Sequence, residues 1–189
     1  MYKRQGGYGG AAEAASFGAR HASASAAAAA APSAAAAASA SAPCVTGVVC
    51  APAFANTPRG GAAGPNQYST EQQAAPSLTE RAGMMLSQTD AIVVLGGGGL
   101  GTLTKLLLAW NHAAVEAWGA SYSENAVASA AARPIFAWRE PWESLLTTLS
   151  DALHIPSDLL QHVTFVDSVE DVVQHLDTIK TQREAGTAQ

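Results

Sequence analysis

The sequence contains little charge, few cysteines and no long apolar run. Charged residues make up 13% of the chain, against roughly 25% in an average soluble domain. The two cysteines, Cys44 and Cys50, are too few for a disulfide framework and lack the spacing of metal ligands. No apolar run reaches the ~18 residues of a transmembrane helix. The composition therefore argues against a disulfide scaffold and a cysteine metal centre, and we expect no membrane partner.

The charge that is present is unevenly divided. Residues 1–75 hold four basic and two acidic residues, a net charge of +2, and residues 76–189 hold six basic and thirteen acidic residues, a net charge of −7. The second part carries the secondary-structure signals, and it has no basic stripe. Because phosphate neutralisation supplies most nucleic-acid affinity, we expect no nucleic-acid partner.

The first part of the chain is dominated by small residues. Residues 22–42 contain fifteen Ala, five Ser and one Pro, which offers no apolar face to bury and predicts a disordered or weakly helical insertion. Residues 51–76 are rich in Pro and Gly and are predicted to be loop. The acid-poor start has two interpretations: an organellar transit peptide, or a segment over 6–22 that belongs to the fold. The second interpretation predicts a cytoplasmic protein.

From Ser77 onward, helix and strand signals alternate. Ser77 and Glu80 have the spacing of a capping box, which predicts a helix over 78–88. The apolar run 91–95 predicts a buried strand of a parallel sheet. Further strands are predicted at 134–138 and 163–167, and further helices at 102–118 and at 141–153. Ser168, with Asp171 three residues later, is predicted to cap a last helix that runs to about Arg183. The alternation predicts an α/β fold with a parallel sheet and helices on both faces, and 119–132 is predicted to be loop.

A glycine-rich turn, Gly96 to Gly101, lies between the strand at 91–95 and the next helix. In parallel α/β sheets, ligands bind outside the carboxyl ends of the strands. Glycines admit a phosphate close to the backbone, and the helix start offers N–H donors and a positive dipole end. The turn therefore predicts a phosphate or nucleotide-phosphate site; a tight turn without ligand is the alternative. It lacks the acid of a dinucleotide fingerprint and the Lys-Ser/Thr of a Walker A loop.

The glycine turn also carries a resemblance to a known family. Residues 97–105, GGGLGTLTK, resemble the P-G-G-x-G-T-x-x-E motif of the LOG (Lonely guy) family, also labelled lysine-decarboxylase-like. Glu80-Arg81 resembles that family's helix with a functional arginine. The glycines within 6–19 are similar to its earlier G-G-G-x-G-x-M-x-A…G-A segment.

The resemblance implies a Rossmann-like, doubly wound homodimer that needs no cofactor. Members of the family hydrolyse the N-glycosidic bond of nucleoside 5′-monophosphates, including cytokinin riboside monophosphates, to a free base and ribose 5-phosphate. Some relatives are instead molybdenum-cofactor carriers, which bind without this reaction. The implied catalytic positions are Arg81 and Lys105. The implied phosphate- or nucleotide-binding positions are Gly7, Gly10, Gly97, Gly98, Gly99, Leu100, Gly101 and Thr102.

Lys105 departs from the motif, because the family has a glutamate at this position. The family's carboxylate would support a sugar that becomes cationic in the transition state. One unit charge pair at about 4 Å and an effective dielectric near 20 contributes on the order of 4 kcal/mol, which corresponds to roughly a thousandfold in rate. Lys105 is therefore expected to impair hydrolysis. It either holds a phosphate or another anion, or it is a solvated helix lysine. The motif proline is also replaced, by Gly97, and Ala82 stands where a lysine is common.

Compared with the family, the chain begins where the second strand would end, so the first strand-helix unit is expected to be missing. The resemblance divides the chain into a remnant of the early glycine motif and helix (1–22), the Ala/Ser-rich insertion (23–42), a LOG-like Rossmann core (43–180) and a tail (181–189). Three hypotheses remain open at this point. The chain is a phosphoribohydrolase slowed by Lys105, a non-catalytic protein that binds a nucleotide or a phosphate-bearing cofactor, or a degenerate fragment.

The remaining candidate residues have simpler interpretations. Glu116 lies about 16 Å along the helix from Lys105 at 1.5 Å per residue, too far to replace the motif glutamate. The histidines lack metal-ligand spacing and are predicted to be scattered helix or loop residues: His112, His154, His162 and His175. The tryptophans are predicted to pack in the core or at a dimer interface, with one of them as a candidate to stack on a base: Trp110, Trp118, Trp138 and Trp142.

Overall fold

The computed structural model describes Phe17, His21 and residues 46–50, 69–97, 99–122 and 133–186. The chain divides into two compact units, Met1–Ser87 and Gln88–Gln189. The predictions for the Ala/Ser-rich insertion, for Gly7 and Gly10 and for Gly98 lie outside the described residues.

The described part of the first unit includes two short parallel strands and a helix that follows them. Strand β1 (Thr46–Val49) pairs in parallel with β2 (Glu71–Ala74). Helix α1 (Leu78–Ser87) follows, and the Glu80 backbone N–H donates to Ser77 Oγ at 3.1 Å. This bond confirms the predicted cap.

Strand β2 corrects the prediction that residues 51–76 are loop. Its side chains are exposed or half-buried, so its sequence, EQQA, carries no apolar run that would indicate a strand. Backbone pairing with β1 makes it a strand. Among the described residues of this unit, four side chains are buried, and three of them are small: Cys50, which is a free thiol, Ala75, Ala82 and the larger Leu86.

The second unit is built on a three-stranded parallel sheet. Its strands are β3 (Ile92–Val94), β4 (Ile135–Trp138) and β5 (Val163–Val166), in the order β3-β4-β5. Val93 pairs with Phe136, and Phe136 with Thr164. Each strand lies within the range predicted for it, so the predicted parallel α/β fold is confirmed, and it is consistent with a Rossmann-like fold.

In the described part of the second unit, three helices and one 3-10 helix flank this sheet. They are α2 (Leu100–Tyr122), α3 (Arg139–Leu153), the 3-10 helix Ser157–His162 and α4 (Val169–Gly186). Regular helical geometry in α3 begins at Pro141, as predicted, because Glu140 is extended at φ −94°, ψ 125°. Helix α2 continues to Tyr122, so the prediction of loop over 119–122 was wrong. Gly119 is exposed with open space around it, and the nearby Ala117 and Ala120 favour helix.

The core of the second unit lies on both faces of β4. Phe136 packs in a cluster with Val166 and Val172, with Leu176 and Ile179 of α4 against it. Successive strand residues point to opposite faces. Ile135 and Ala137 are therefore on the other face, and both are buried. Strand β4 is thus covered on its two faces, as a central strand of a parallel α/β sheet should be.

Strand β3 is less buried than its sequence predicts. Val94 is 6% exposed, but Val93 is 46% exposed. In the described sheet β3 is an edge strand, with β4 on one side, and the face on which the Val93 side chain lies is less covered than the face of Val94. None of the described helices combines the length and the apolar character that a membrane crossing requires.

Candidate functional site

The predicted glycine turn lies at the carboxyl end of β3, where α2 begins. The Gly99 carbonyl accepts hydrogen bonds from the backbone N–H groups of Thr102 (2.9 Å) and Leu103 (3.1 Å). These bonds close the first turn of α2 directly after the turn. The turn is solvent-exposed, and Leu100 at the helix start is 83% exposed. The N-terminal turn of α2 is thus accessible at the edge of the sheet where ligands of parallel α/β folds bind.

The structural reason for a glycine differs from one position of this turn to the next. A Cβ on Gly96 would lie 3.1 Å from the Glu140 carbonyl oxygen, and Gly97 has φ +76°, a conformation that disfavours any side chain. Gly99 has nothing within 4 Å of the position of a Cβ, and at Gly101 the nearest atom is the Lys105 Nζ at 3.9 Å. Packing and backbone conformation therefore explain Gly96 and Gly97, whereas Gly99 and Gly101 have room for a side chain.

The Lys105 side chain folds back along the first turn of α2. Its Nζ donates to the Gly101 carbonyl at 2.9 Å. The ammonium thus lies beside the glycine turn, at the helix end where the macrodipole is positive. A cation is unfavourable at this end of a helix, by about 0.3–1 kcal/mol at exposed sites, and the carbonyl offsets part of that cost. An anion bound here would reverse the sign of the interaction.

The end of β3 is held by helix α3. The Trp142 indole Nε1 donates to the Leu95 carbonyl at 3.0 Å, and Trp142 is 2% exposed. The sequence predicted Trp142 as a packing residue, and its hydrogen bond adds a fixed position for the residue just before the glycine turn.

An ion-pair network that the sequence analysis missed joins the ends of β4 and β5. Arg139 follows β4, and its Nε donates to both carboxylate oxygens of Asp167, which follows β5, each at 3.0 Å. Its Nη1 donates to both oxygens of Glu143 at 3.0 and 2.9 Å. Hydrogen bonds to Glu143 and then to Asp167 raise the pKa of Arg139. The signal available in the sequence was a charged residue directly after each strand.

Helix α4 begins beside this network with a reciprocal cap. The Asp171 Oδ2 accepts from the backbone N–H groups of Asp167 (3.1 Å) and Ser168 (3.0 Å), and Ser168 Oγ accepts from the Asp171 N–H at 3.1 Å. The bond from Asp167, ahead of the side-chain bond with Ser168, lowers the pKa of Asp171. The predicted cap at Ser168 and Asp171 is confirmed.

Arg81, the other predicted catalytic residue, belongs to the first unit. It lies on α1, half-buried, and its Nε donates to the Val48 carbonyl of β1 at 2.7 Å. The guanidinium is therefore placed at β1 inside the first unit. The glycine turn and Lys105 belong to the second unit.

The remaining candidates do not form a second site. Among the residues described here, no three His, Cys, Asp or Glu side chains come together as metal ligands would. Trp110 is buried and donates to the Leu159 carbonyl at 2.7 Å, as predicted for a core residue, whereas Trp118 is 52% exposed. His175 is exposed, with its ring 5.8 Å from that of Phe136.

Comparison of the chain with protein-family models and with curated proteins finds no match to either. The resemblance to the LOG family therefore rests on the motif residues, and the function it implies is a prediction.

Proposed function

We propose that this chain binds a nucleoside 5′-monophosphate, or another phosphate-bearing small molecule, at the glycine turn between β3 and α2. The proposal is carried by one observation: the Lys105 ammonium lies against the Gly101 carbonyl, 3.9 Å from the position of a Gly101 Cβ. A cation, two glycines with room for a side chain and the start of a 23-residue helix are thereby together at one point. This is the set of groups that recognises a phosphate.

The positions of Gly99 and Gly101 support close approach by a ligand. Glycine inside a helix costs about 0.5–1 kcal/mol relative to alanine, and Gly101 lies in the first turn of α2 with space for a Cβ. A phosphate oxygen that contacts the backbone there needs that space.

Hydrolysis of the N-glycosidic bond, the reaction implied by the resemblance, is proposed to be strongly impaired. An ammonium at position 105 repels a sugar that becomes cationic, whereas it attracts a phosphate that is anionic throughout. The charge at this position therefore favours binding of the ground state over stabilisation of the transition state, which is the opposite of what catalysis requires. A nucleotide- or phosphate-cofactor-binding role, as in a carrier protein, follows from the same charge.

The proposal is tested by measuring AMP binding and ribose 5-phosphate release with the wild-type chain and Lys105→Glu. We expect calorimetry to show AMP binding to the wild type and at least about tenfold weaker binding to Lys105→Glu, a change of about 1.4 kcal/mol. Lys180→Glu is the matched control, because Lys180 is an exposed helix lysine whose Nζ lies 4.0 Å from Glu184 on α4. Equal binding by all three proteins contradicts the phosphate site.

The hydrolysis measurement separates the two functions. Ribose 5-phosphate release that appears with Lys105→Glu alone means a catalytic site silenced by its lysine. Equal release by both proteins shows that the electrostatic argument is wrong. Absence of release from both, with AMP binding intact in the wild type, supports a binding protein.

A further inference from the structure

We propose that the solvent face of α4 is a docking surface for a basic amphipathic helix of a different protein. This surface lies on a different helix from the glycine turn, and nothing in it depends on a bound phosphate.

A shallow groove with a volume of about 670 Å³ runs along the solvent face of α4. Among the described residues, those that line it all belong to this helix. They lie in two rows with a spacing of four, one row starting at Val169 and the other at Glu170. The opposite side of the helix carries Val172, Leu176 and Ile179, which pack in the core. Rows at this spacing form the ridges and grooves into which a second helix packs.

The first half of the groove is apolar. Val169 is 59% exposed and Val173, one turn later, is 51% exposed. A β-branched side chain loses χ1 freedom in a helix, so valine is a poorer helix former than alanine. Burial repays that cost in a core, but these two valines are not buried in this chain. A partner that covers them would supply the burial.

The groove is also acidic, with carboxylates in a regular series. Glu170, Asp177 and Glu184 are seven residues apart. Seven residues turn a helix through about 700°, about 20° short of two full turns, so the three lie on one face. Glu184 is 4.0 Å from the Lys180 Nζ. Within the described part of the chain, Glu170 and Asp177 take part in no ion pair.

The carboxylate of Asp177 has no role within its own helix. Glu170 lies in the first turn of α4, where the macrodipole favours a negative charge. Asp177 lies in the helix interior, where aspartate is a poor helix former and the macrodipole gives it no advantage. A cation from outside the chain would pair with it.

The spacing of the acids favours a helix as the partner. Seven residues of α4 rise about 10.5 Å. A helix with one basic residue per heptad repeats its cations at the same distance on one face. An extended chain presents every second side chain to one side at about 3.3 Å per residue, so its cations would recur at about 6.6 or about 13.2 Å. An apolar residue between successive cations would meet Val173, which lies between Glu170 and Asp177.

The charge of the surface excludes several other partners. A second copy of α4 would place acids against acids, and nucleic acids and anionic membranes are repelled in the same way. Residues 76–189 carry a net charge of −7, which attracts a basic protein over a longer range. The matching chemistry is therefore a basic segment with an apolar stripe.

The first test is fluorescence anisotropy with the full chain and a labelled probe. The probe is a three-heptad amphipathic peptide with one lysine per heptad, and leucines three or four residues from each lysine. We expect saturable binding with a dissociation constant on the order of 10–100 µM, as for a small, transient interface. The same peptide with glutamate at the three lysine positions should not bind. Equal binding of both peptides, or binding of neither, overturns the proposal.

Charge reversal on the chain locates the binding surface. Asp177→Lys should weaken binding at least about tenfold. Asp151→Lys is the matched control, because Asp151 is an exposed acid on α3 in the same unit, and it should change binding less than about twofold. Equal weakening by both variants would mean attraction to the net charge of the chain, and it overturns the proposal. Circular dichroism checks that both variants fold.

The apolar part of the groove has its own pair of variants. Val173→Ser should weaken binding about threefold or more, because it removes an apolar contact. Leu153→Ser changes a side chain that is 66% exposed on α3 and should leave binding unchanged. If Val173→Ser has no effect, the valines are not covered and the docking mode is wrong.

A compensating change in the probe tests the register. Asp177 is the middle acid of the three, so it meets the central lysine of the peptide in either direction. The peptide with glutamate at that central position should bind Asp177→Lys better than it binds the wild type. Absence of this rescue overturns the proposal. So does self-association of the chain that Asp177→Lys abolishes in sedimentation equilibrium, because the occupant is then a second copy.

Discussion

Replacing Gly101 by alanine should make the protein more stable and a poorer binder. Gly101 lies in the first turn of α2, and the nearest atom to an added Cβ is the Lys105 Nζ at 3.9 Å, an ordinary van der Waals distance. The methyl group thus fits without displacement. Alanine in place of glycine stabilises a helix by about 0.5–1 kcal/mol, which raises Tm by roughly 1–4 °C in a chain of 150–250 residues.

The same methyl group would occupy the space in which a phosphate approaches the backbone. We expect Gly101→Ala to weaken AMP binding at least about tenfold, or about 1.4 kcal/mol, when thermal unfolding and calorimetry are measured on the same preparation. Gly119→Ala is the matched control on the same helix, because Gly119 is exposed with nothing within 4 Å of a Cβ. It should raise Tm by a similar amount and leave binding unchanged.

Gly97→Ala should lower the stability of the chain, in contrast to Gly101→Ala. Gly97 has φ +76°, so an alanine there costs about 1–2 kcal/mol of left-handed backbone strain. Its Tm should fall, while that of Gly101→Ala rises. If Gly101→Ala is more stable and binds AMP as tightly as the wild type, the ligand does not approach this part of the turn and the reasoning is refuted.

Two further predictions concern the neighbouring elements. Trp142→Phe should destabilise the chain by about 2–3 kcal/mol in urea unfolding, because it leaves the Leu95 carbonyl without its indole donor and opens space in the core; an unchanged midpoint would contradict both causes. Hydrogen bonds led by that from the Asp167 N–H lower the pKa of Asp171 below its usual 3.8. Its stabilisation is therefore complete above that value and lost as pH falls through the lowered pKa. Asp171→Asn should lose stability at neutral pH and converge with the wild type in acid, and a pH-independent difference in unfolding free energy would contradict this.

The elements that the sequence predicted are those with a local cause. The helix starts at Ser77 and Ser168 follow from capping side chains three residues apart, and both caps form. Strands β4 and β5 follow from short apolar runs. Strand β2 has no such local cause, because its side chains are largely exposed and its pairing with β1 depends on a residue range far away in the chain.

In the candidate site, too, the features with a local cause can be predicted from the sequence and the others cannot. A glycine turn between an apolar strand and a helix can be found in the sequence, because the spacing is local. The direction of the Lys105 side chain cannot be predicted from the sequence, because a helix lysine has several rotamers and the Gly101 carbonyl selects one of them. The Arg139 network depends on β4 and β5 being neighbours, which only the sheet order shows.

The arrangement around the turn separates a rigid part from an adjustable one. The Leu95 carbonyl is fixed by buried Trp142, Gly96 is packed against the Glu140 carbonyl, and Arg139 ties the end of β4 to Asp167. These contacts preorganise the turn, so little ordering remains to oppose binding. Lys105 is held by a hydrogen bond within its own helix, and its long side chain can follow a ligand. A rigid turn with one adjustable cation suits recognition of a stable anion. A cationic transition state would instead need a fixed carboxylate here, and for that reason the charge at position 105, more than the turn, decides between binding and hydrolysis.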